Sequence, residues 1–323
     1  MEETTNAVAI ITLFVTPVVI ALGMVGNTLS LLVMLQKKNR KTNTGVYLAV
    51  IAVVDNCQMV TLLTHWLYGT VLMVPLQDMY CKVYTYFADF WSDSSIWIIV
   101  IMTIDRTVAI KLPLKKFLRA RVISSSILGV TFFLLIIRNI PFLIYGFSKV
   151  DEVTESDICL VYDASLNSTA VVILPLFDVC FQSIIPFFIL TTCNGIIIHA
   201  LKKRKQQVAN LGVTQNNPMM KARAVSITMM LLVISFSALV LTLPLNLLIF
   251  LAPLVENGTI DPKTFSIIFA VCLRLYFANN ALNFYLSLIG GQKFKNDAKT
   301  LLCKCTPSQR ETNRVTNGEA TVE

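Results

Sequence analysis

The sequence predicts an all-α membrane protein: a seven-transmembrane helix bundle with a short amphipathic eighth helix and its N-terminus outside. Three observations lead there. First, 55% of the 323 residues are hydrophobic and only 14% are charged, whereas soluble globular chains run near roughly 25% charged. So much apolar surface does not fit inside one soluble core, and lipid is the better solvent. Second, seven apolar runs occur, each meeting the roughly 20 residues that a helix needs to cross a bilayer. Third, basic residues gather in alternate connecting segments, as they do on the cytoplasmic side of a membrane.

The chain starts MEETTN, acidic and short, and an apolar run follows directly. A cleavable signal peptide has a basic start and a shorter apolar core. Residues 1–6 are therefore expected to be an extracellular N-terminus, and residues 7–290 the transmembrane domain. The first span, 7–35, carries Gly26-Asn27; an Asn at mid-membrane seeks a polar partner on another helix. The second, 45–74, holds one interior carboxylate, Asp55, which is either functional or protonated and bonded to a neighbouring helix. His65, Trp66 and Tyr68 follow and either line a cavity or form an interfacial aromatic belt.

The third span, 81–110, starts at Cys81, carries Asp89, Ser92, Asp93 and Ser95, and ends abruptly in Asp105-Arg106. Pro113 soon after blocks a continuing helix. In the fourth, 122–145, Arg138 near the end is expected to snorkel outward. Residues 146–170 read as a polar, acidic loop with Cys159 and the sequon Asn167-Ser168-Thr169. The fifth span, 171–201, has Asp178 and Pro186; the sixth, 221–253, has Pro244; a second sequon, Asn257-Gly258-Thr259, precedes the seventh, 264–289. That last span carries Arg274, Asn279, Asn280 and Asn283. Residues 291–305 read as an amphipathic helix with Phe294, Ala298, Leu301 and Leu302 opposite lysines. Cys303 and Cys305 at its end are either palmitoylation sites or ordinary thiols. The polar tail, 306–323, is expected to be disordered and cytoplasmic.

Charge sets the orientation. Lys37, Lys38, Arg40 and Lys41, then Lys111 to Arg121, then Lys202 to Lys205, and Lys293, Lys295 and Lys299 share one side, which the positive-inside rule makes cytoplasmic. Both sequons fall on the other side, where N-glycosylation happens. Basic charge spread over several inner loops argues against nucleic acid as a partner. Two histidines and scattered cysteines argue against a zinc centre. Cys57, Cys180, Cys193 and Cys272 sit in the spans as small apolar fillers. No nucleophile with a base partner and no phosphate loop stands out, so the chain does not read as an enzyme. A seven-span transporter is the rival class; transporters tend to carry internal repeats, and none is visible.

Cys81, the apolar helix, Asp105-Arg106 and Pro113 at their spacing resemble the third transmembrane helix of rhodopsin-like G-protein-coupled receptors. The resemblance runs from Gly26 to Cys305 and adds Asn27, Asp55, Cys159, Pro186, Pro244, Asn283 and Phe294 in family order. The ending NNALNFYLSLIGGQKF resembles invertebrate peptide receptors of the FMRFamide-receptor type. The resemblance implies a multi-pass plasma-membrane receptor in the lipid bilayer, with a peptide ligand outside and a heterotrimeric G protein and arrestin inside. It implies a Cys81–Cys159 disulfide and a coupling switch at Asp105 and Arg106. It implies an allosteric sodium site at Asp55, Ser95, Asn279 and Asn283, with no other metal or cofactor; the alternative is a hydrogen-bonded core holding water.

The departures are Thr107 after Asp-Arg, Thr242 for the usual switch Trp, Asn194 and Leu286 for two tyrosines, and a fourth helix without Trp. They put the switching route in doubt and leave the fold intact. The base of the sixth helix, MKARA, lacks the usual acid, so some constitutive signalling is expected. Ala88 stands where amine receptors have Asp, and Phe277 where opsins have Lys, which disfavours both classes. The remaining pocket is His65, Tyr68, Asp89, Ser92, Asp178, Asn246 and Arg274 under an acidic loop. Such a lining suits a cationic ligand, a short basic or amidated neuropeptide. Arg274 alternatively pairs with Asp89 or another carboxylate. A chemosensory receptor for a small molecule is the competing reading within the same fold.

Overall fold

The computed structural model describes residues 7–111, 121–150, 157–161, 168–211, 218–256 and 261–305. Among the described residues, seven helices are long and apolar enough to cross a membrane: α1 (Ala7–Met34), α2 (Asn43–Val71), α3 (Asp78–Lys111), α4 (Val122–Tyr145), α5 (Ile173–Lys203), α6 (Val225–Ile249) and α7 (Pro262–Gly290). A further helix, α8 (Gln292–Cys305), follows at once. The end of the bundle that carries the disulfide is called outer below, and the end that carries Asp105 and Arg106 inner.

Local chemistry explains where the helices begin and bend. Thr42 caps α2, its hydroxyl accepting from Gly45 N–H, and Asp261 caps α7 ahead of Pro262 at the first turn, an arrangement that satisfies the free amides of a helix start. Hydrogen bonds from the Thr264 backbone N–H and hydroxyl hold the Asp261 carboxyl below the usual carboxylate range. The described residues include wide π turns at Ile11–Val15 and Cys180–Ile184, and Pro17 and Pro186 follow them within two residues. A proline ring collides with the carbonyl four residues back; that residue is Leu13 or Gln182, inside the widened turn, which relieves the clash.

α3 is the axis of the bundle and packs on α2, α4, α5 and α6. Its wall is buried from Ser92 to Ile96, and Ile98, Ile99 and Met102 are fully enclosed. Lipid-side residues are the reverse of a soluble core: Phe133 is 62% and Phe236 68% exposed within the chain. Close helix approach requires small residues. A Cβ on Gly23 would meet Met59 Sδ at 2.5 Å, and one on Gly290 would meet Met230 Cα of α6 at 2.8 Å.

The segment expected to be a plain polar loop contains a two-stranded antiparallel ribbon, β1 (Gly146–Val150) and β2 (Asp157–Val161). The Cys81–Cys159 disulfide ties β2 to the start of α3, and Ser148 N–H donates to Asp78 Oδ1 at 2.8 Å. Two attachments to one helix end hold the ribbon in register, which its acidic composition did not advertise. Asn167, Asn257, Pro113, the N-terminal residues 1–6 and the tail 306–323 lie outside the described residues, as do the side chains of Cys303 and Cys305.

Candidate functional site

At the outer half of the bundle a charged cluster joins three helices. Arg138 of α4 donates from Nη1 to Asp93 Oδ2 of α3 at 2.7 Å, and from Nη2 to Asp178 Oδ1 of α5 at 2.7 Å. The guanidinium lies 5.5 Å from the centroid of the Phe142 ring and 5.1 Å from that of Phe181. Asn139 completes the arrangement by donating to Asp93 Oδ2 at 3.2 Å. The expectation that Arg138 snorkels outward is therefore corrected: its side chain is only 7% exposed. Snorkelling serves a cation that faces lipid, whereas two carboxylates on neighbouring helices give this one a better partner than the interface.

Asp89, half-buried one turn above Asp93, lies in the electrostatic field of Arg138, Asp93 and Asp178. Gln182 donates to Tyr276 Oη at 2.7 Å and sits beside both Asp89 and Asp93. Three carboxylates thus surround one guanidinium. Of the other residues predicted for the pocket, Ser92 is buried near Tyr276. Asn246 is buried and donates to the Ser183 hydroxyl.

His65 and Tyr68 enter an aromatic stack rather than standing alone. The His65 ring lies 3.9 Å from Tyr84, and Tyr68 lies 4.9 Å from Tyr80. Arg274 does not pair with Asp89: it donates to Thr12 Oγ1 at 2.7 Å and Thr16 Oγ1 at 3.3 Å, both on α1. Trp66 Nε1 likewise reaches the Thr12 carbonyl at 3.0 Å.

Deeper in the bundle, Asp55 is fully buried and accepts from Asn280 Nδ2 at 2.8 Å and Asn283 Nδ2 at 2.7 Å. Asn27 Nδ2 donates to the Asn280 carbonyl at 3.1 Å. The sequence reading named Asn279 beside Asp55; the residue on the carboxylate is Asn280. Positions 280 and 283 are three apart and share a helix face. Ser95 Oγ, Asn27 Oδ1, Asn279 Oδ1 and Asn283 Oδ1 are buried without a hydrogen-bond partner. A carboxylate with spare buried oxygens nearby is the donor chemistry of a hard cation, so these residues fit the sodium ion that the resemblance implies. No cluster of three or more His, Cys, Asp or Glu that could hold a metal occurs among the described residues.

At the inner end, Asp105 and Arg106 are half-buried, within electrostatic reach of Tyr47. One turn above them, Thr103 Oγ1 and Ser235 Oγ of α6 lie 3.3 Å apart. Met230 of α6 rests on Gly290 and Gly291, and Lys293 N–H donates to Ser226 Oγ at 3.2 Å. Asp297 of α8 binds the first inner loop, receiving Lys38 Nζ at 2.6 Å and Asn39 Nδ2 at 2.9 Å. Sequence reasoning missed all of these contacts. They join residues far apart in the chain, and the one available signal was an acid, Asp297, on the otherwise basic α8.

The family described as 7 transmembrane receptor (rhodopsin family) matches residues 26–283. The chain is similar to type-1 angiotensin II receptors. It is 28% identical to that of Sus scrofa over 302 residues, which cover 91% of this chain and 80% of that receptor. The receptor of Meriones unguiculatus is 27% identical over the same coverage. That of Homo sapiens is 26% identical over 314 residues, covering 94% and 84% of the two chains. These relatives bear on the family and leave the likeness to the FMRFamide-receptor type untested.

Proposed function

The chain belongs to the rhodopsin family of seven-transmembrane receptors and is a multi-pass plasma-membrane receptor; from that premise we propose that its ligand is a short basic or amidated peptide and that it signals to a heterotrimeric G protein through Asp105 and Arg106. The observation that carries the ligand class is the excess of acid at the outer end, where Asp89, Asp93 and Asp178 share one Arg138. Because Arg138 already holds Asp93 and Asp178, a ligand cation is assigned to Asp89. The relatives' named ligand, angiotensin II, supports a peptide over an apolar odorant.

The test is dose–response to arginine-containing amidated peptides. Asp89→Asn is expected to lower potency about tenfold or more, the cost of losing a charge-assisted hydrogen bond. Unchanged potency at equal surface expression would remove the electrostatic part of the reading.

The resting state is held from two directions. Asp55 with Ser95, Asn279 and Asn283 would hold a sodium ion in the core and stabilise the resting packing of α2, α3 and α7. A cation that prefers one state shifts the population toward it, so agonist affinity is expected to fall as sodium replaces choline in the buffer. Asp55→Ala is expected to abolish that dependence; a retained sodium effect would contradict the assignment. At the inner end, Met230 on Gly290 and Gly291, the Ser226–Lys293 bond and the Thr103–Ser235 contact hold α6 against α7, α8 and α3. They are the restraint on α6 that remains where its base lacks the usual acid.

A further inference from the structure

We propose that the outer end of the bundle has a second pole, at Arg274, which takes a carboxylate of the peptide ligand. The proposal rests on the reading that a basic peptide binds at Asp89, and it adds an anionic group that the same peptide carries.

Arg274 is half-buried on α7. It donates from Nη2 to Thr12 Oγ1 at 2.7 Å, from Nε to Thr16 Oγ1 at 3.3 Å and from Nη1 to the Ala270 carbonyl at 3.3 Å. All three acceptors are neutral. The ion pairs among the described residues are Lys38 with Asp297 and Arg138 with Asp93 and Asp178, so Arg274 meets no carboxylate there. A cation within a transmembrane bundle is costly and is normally paired. A guanidinium has five N–H groups, and three of these are used. A carboxylate is the anion whose planar pair of oxygens matches the fork that is left.

The surroundings fix this cation in place. Thr12, which holds Nη2, accepts at its carbonyl from Trp66 Nε1 of α2 at 3.0 Å. His65 and Tyr84 lie within electrostatic reach of Arg274, and their rings stack with centroids 3.9 Å apart. Rings displace water, and an ion pair beside them is stronger than one in bulk solvent. Tyr84 is also within electrostatic reach of Asp89. One side chain therefore adjoins both poles: three carboxylates around Arg138 on one side, and a guanidinium with neutral partners on the other. A ligand carrying both charges satisfies both poles, whereas a purely cationic one leaves Arg274 uncompensated.

The experiment uses the purified full receptor and short arginine-containing peptides without aspartate or glutamate, each made as the free acid and as the C-terminal amide. Binding is read by thermal stabilisation of the receptor over a concentration series. The excess of acid around Arg138 by itself favours the amide, which is one charge more positive. The proposal predicts the reverse: the free acid is expected to bind about tenfold more tightly, the contribution of one charge-assisted pair. Arg274→Gln is expected to abolish that preference by weakening the acid alone, and Arg274→Lys to keep part of it. Asp89→Asn is expected to weaken both forms and leave their ratio unchanged. An amide whose added aspartate restores tight binding, dependent on Arg274, would support the proposal with the carboxylate coming from a side chain. Amides that bind as tightly as their acids, or a preference that survives Arg274→Gln, would overturn it while leaving the Asp89 reading in place. No stabilisation by any arginine-containing peptide, or none lost in Asp89→Asn, would instead remove the Asp89 reading and the proposal with it. Glu2 and Glu3 precede α1 in the sequence and are the chain's own competing acids. A lower melting temperature of the ligand-free receptor on Glu2→Gln with Glu3→Gln, absent in the Arg274→Gln background, would assign the guanidinium to them and overturn the proposal.

Discussion

Replacing Arg138 by methionine is expected to destabilise the receptor by about 3–5 kcal/mol, because breaking a buried ion pair leaves uncompensated charge in a medium that solvates it poorly. Here two carboxylates lose their partner at once, Asp93 with no exposure and Asp178 with 21%. Methionine keeps much of the volume between Phe142 and Phe181, so the loss is electrostatic and not a cavity. Arg138→Lys is expected to fall in between. It keeps the charge, but a lysine cannot reach both carboxylates with the fixed fork of a guanidinium. The triple change Arg138→Met, Asp93→Asn and Asp178→Asn is expected to recover part of the stability, since it removes the orphaned charge. Thermal unfolding in detergent and surface expression read all three. A melting temperature for Arg138→Met equal to the parent's would mean the cluster does not hold α3, α4 and α5 together.

Gly290→Val is expected to raise basal signalling about tenfold or more. A Cβ at position 290 would sit 2.8 Å from Met230 Cα and 3.2 Å from Val233 Cγ2. Backbone cannot yield by changing rotamer, so α6 itself must move away from the end of α7. Overpacking of this kind costs about 1–3 kcal/mol, paid here by the resting state alone if the active state carries α6 outward. Every ~1.4 kcal/mol of such bias is tenfold in population. The measurement is ligand-free second-messenger production per surface receptor. Ser226→Ala, which removes the weaker hydrogen bond to Lys293 N–H, is expected to move basal output the same way by less. Basal output unchanged in Gly290→Val, at normal surface expression, would show that this contact does not restrain α6.

The helices and the disulfide were legible because each follows from a pattern within the sequence. Hydropathy over some twenty residues marks the spans. Cys81 and Cys159 sit at spacings that a known family also uses. What escaped depended on helix phase and on long-range partners. Asp55 was readable as a polar core residue, but the choice between Asn279 and Asn280 turns on about 100° of rotation along α7. Arg138 was visible as a cation at a helix end. Nothing local announced that Asp93 and Asp178 would converge on it from two other helices. Arg274 was expected in the ligand pocket, with a carboxylate partner as the alternative; it donates to two threonines of α1. Asp297 and Asn39 lie 258 residues apart, and their contact exists only once α8 has folded back along the first loop.

The central claim is that this receptor responds to an extracellular peptide by coupling through Arg106 to a G protein. The most direct measurement is a second-messenger assay in cells expressing the chain with a promiscuous G protein, challenged with short amidated peptides, basic ones among them. Basal output above empty cells is expected, together with a dose-dependent response that Arg106→Ala abolishes at equal surface expression. A response that survives Arg106→Ala, or silence to every peptide from a receptor shown to be at the surface, would contradict the account.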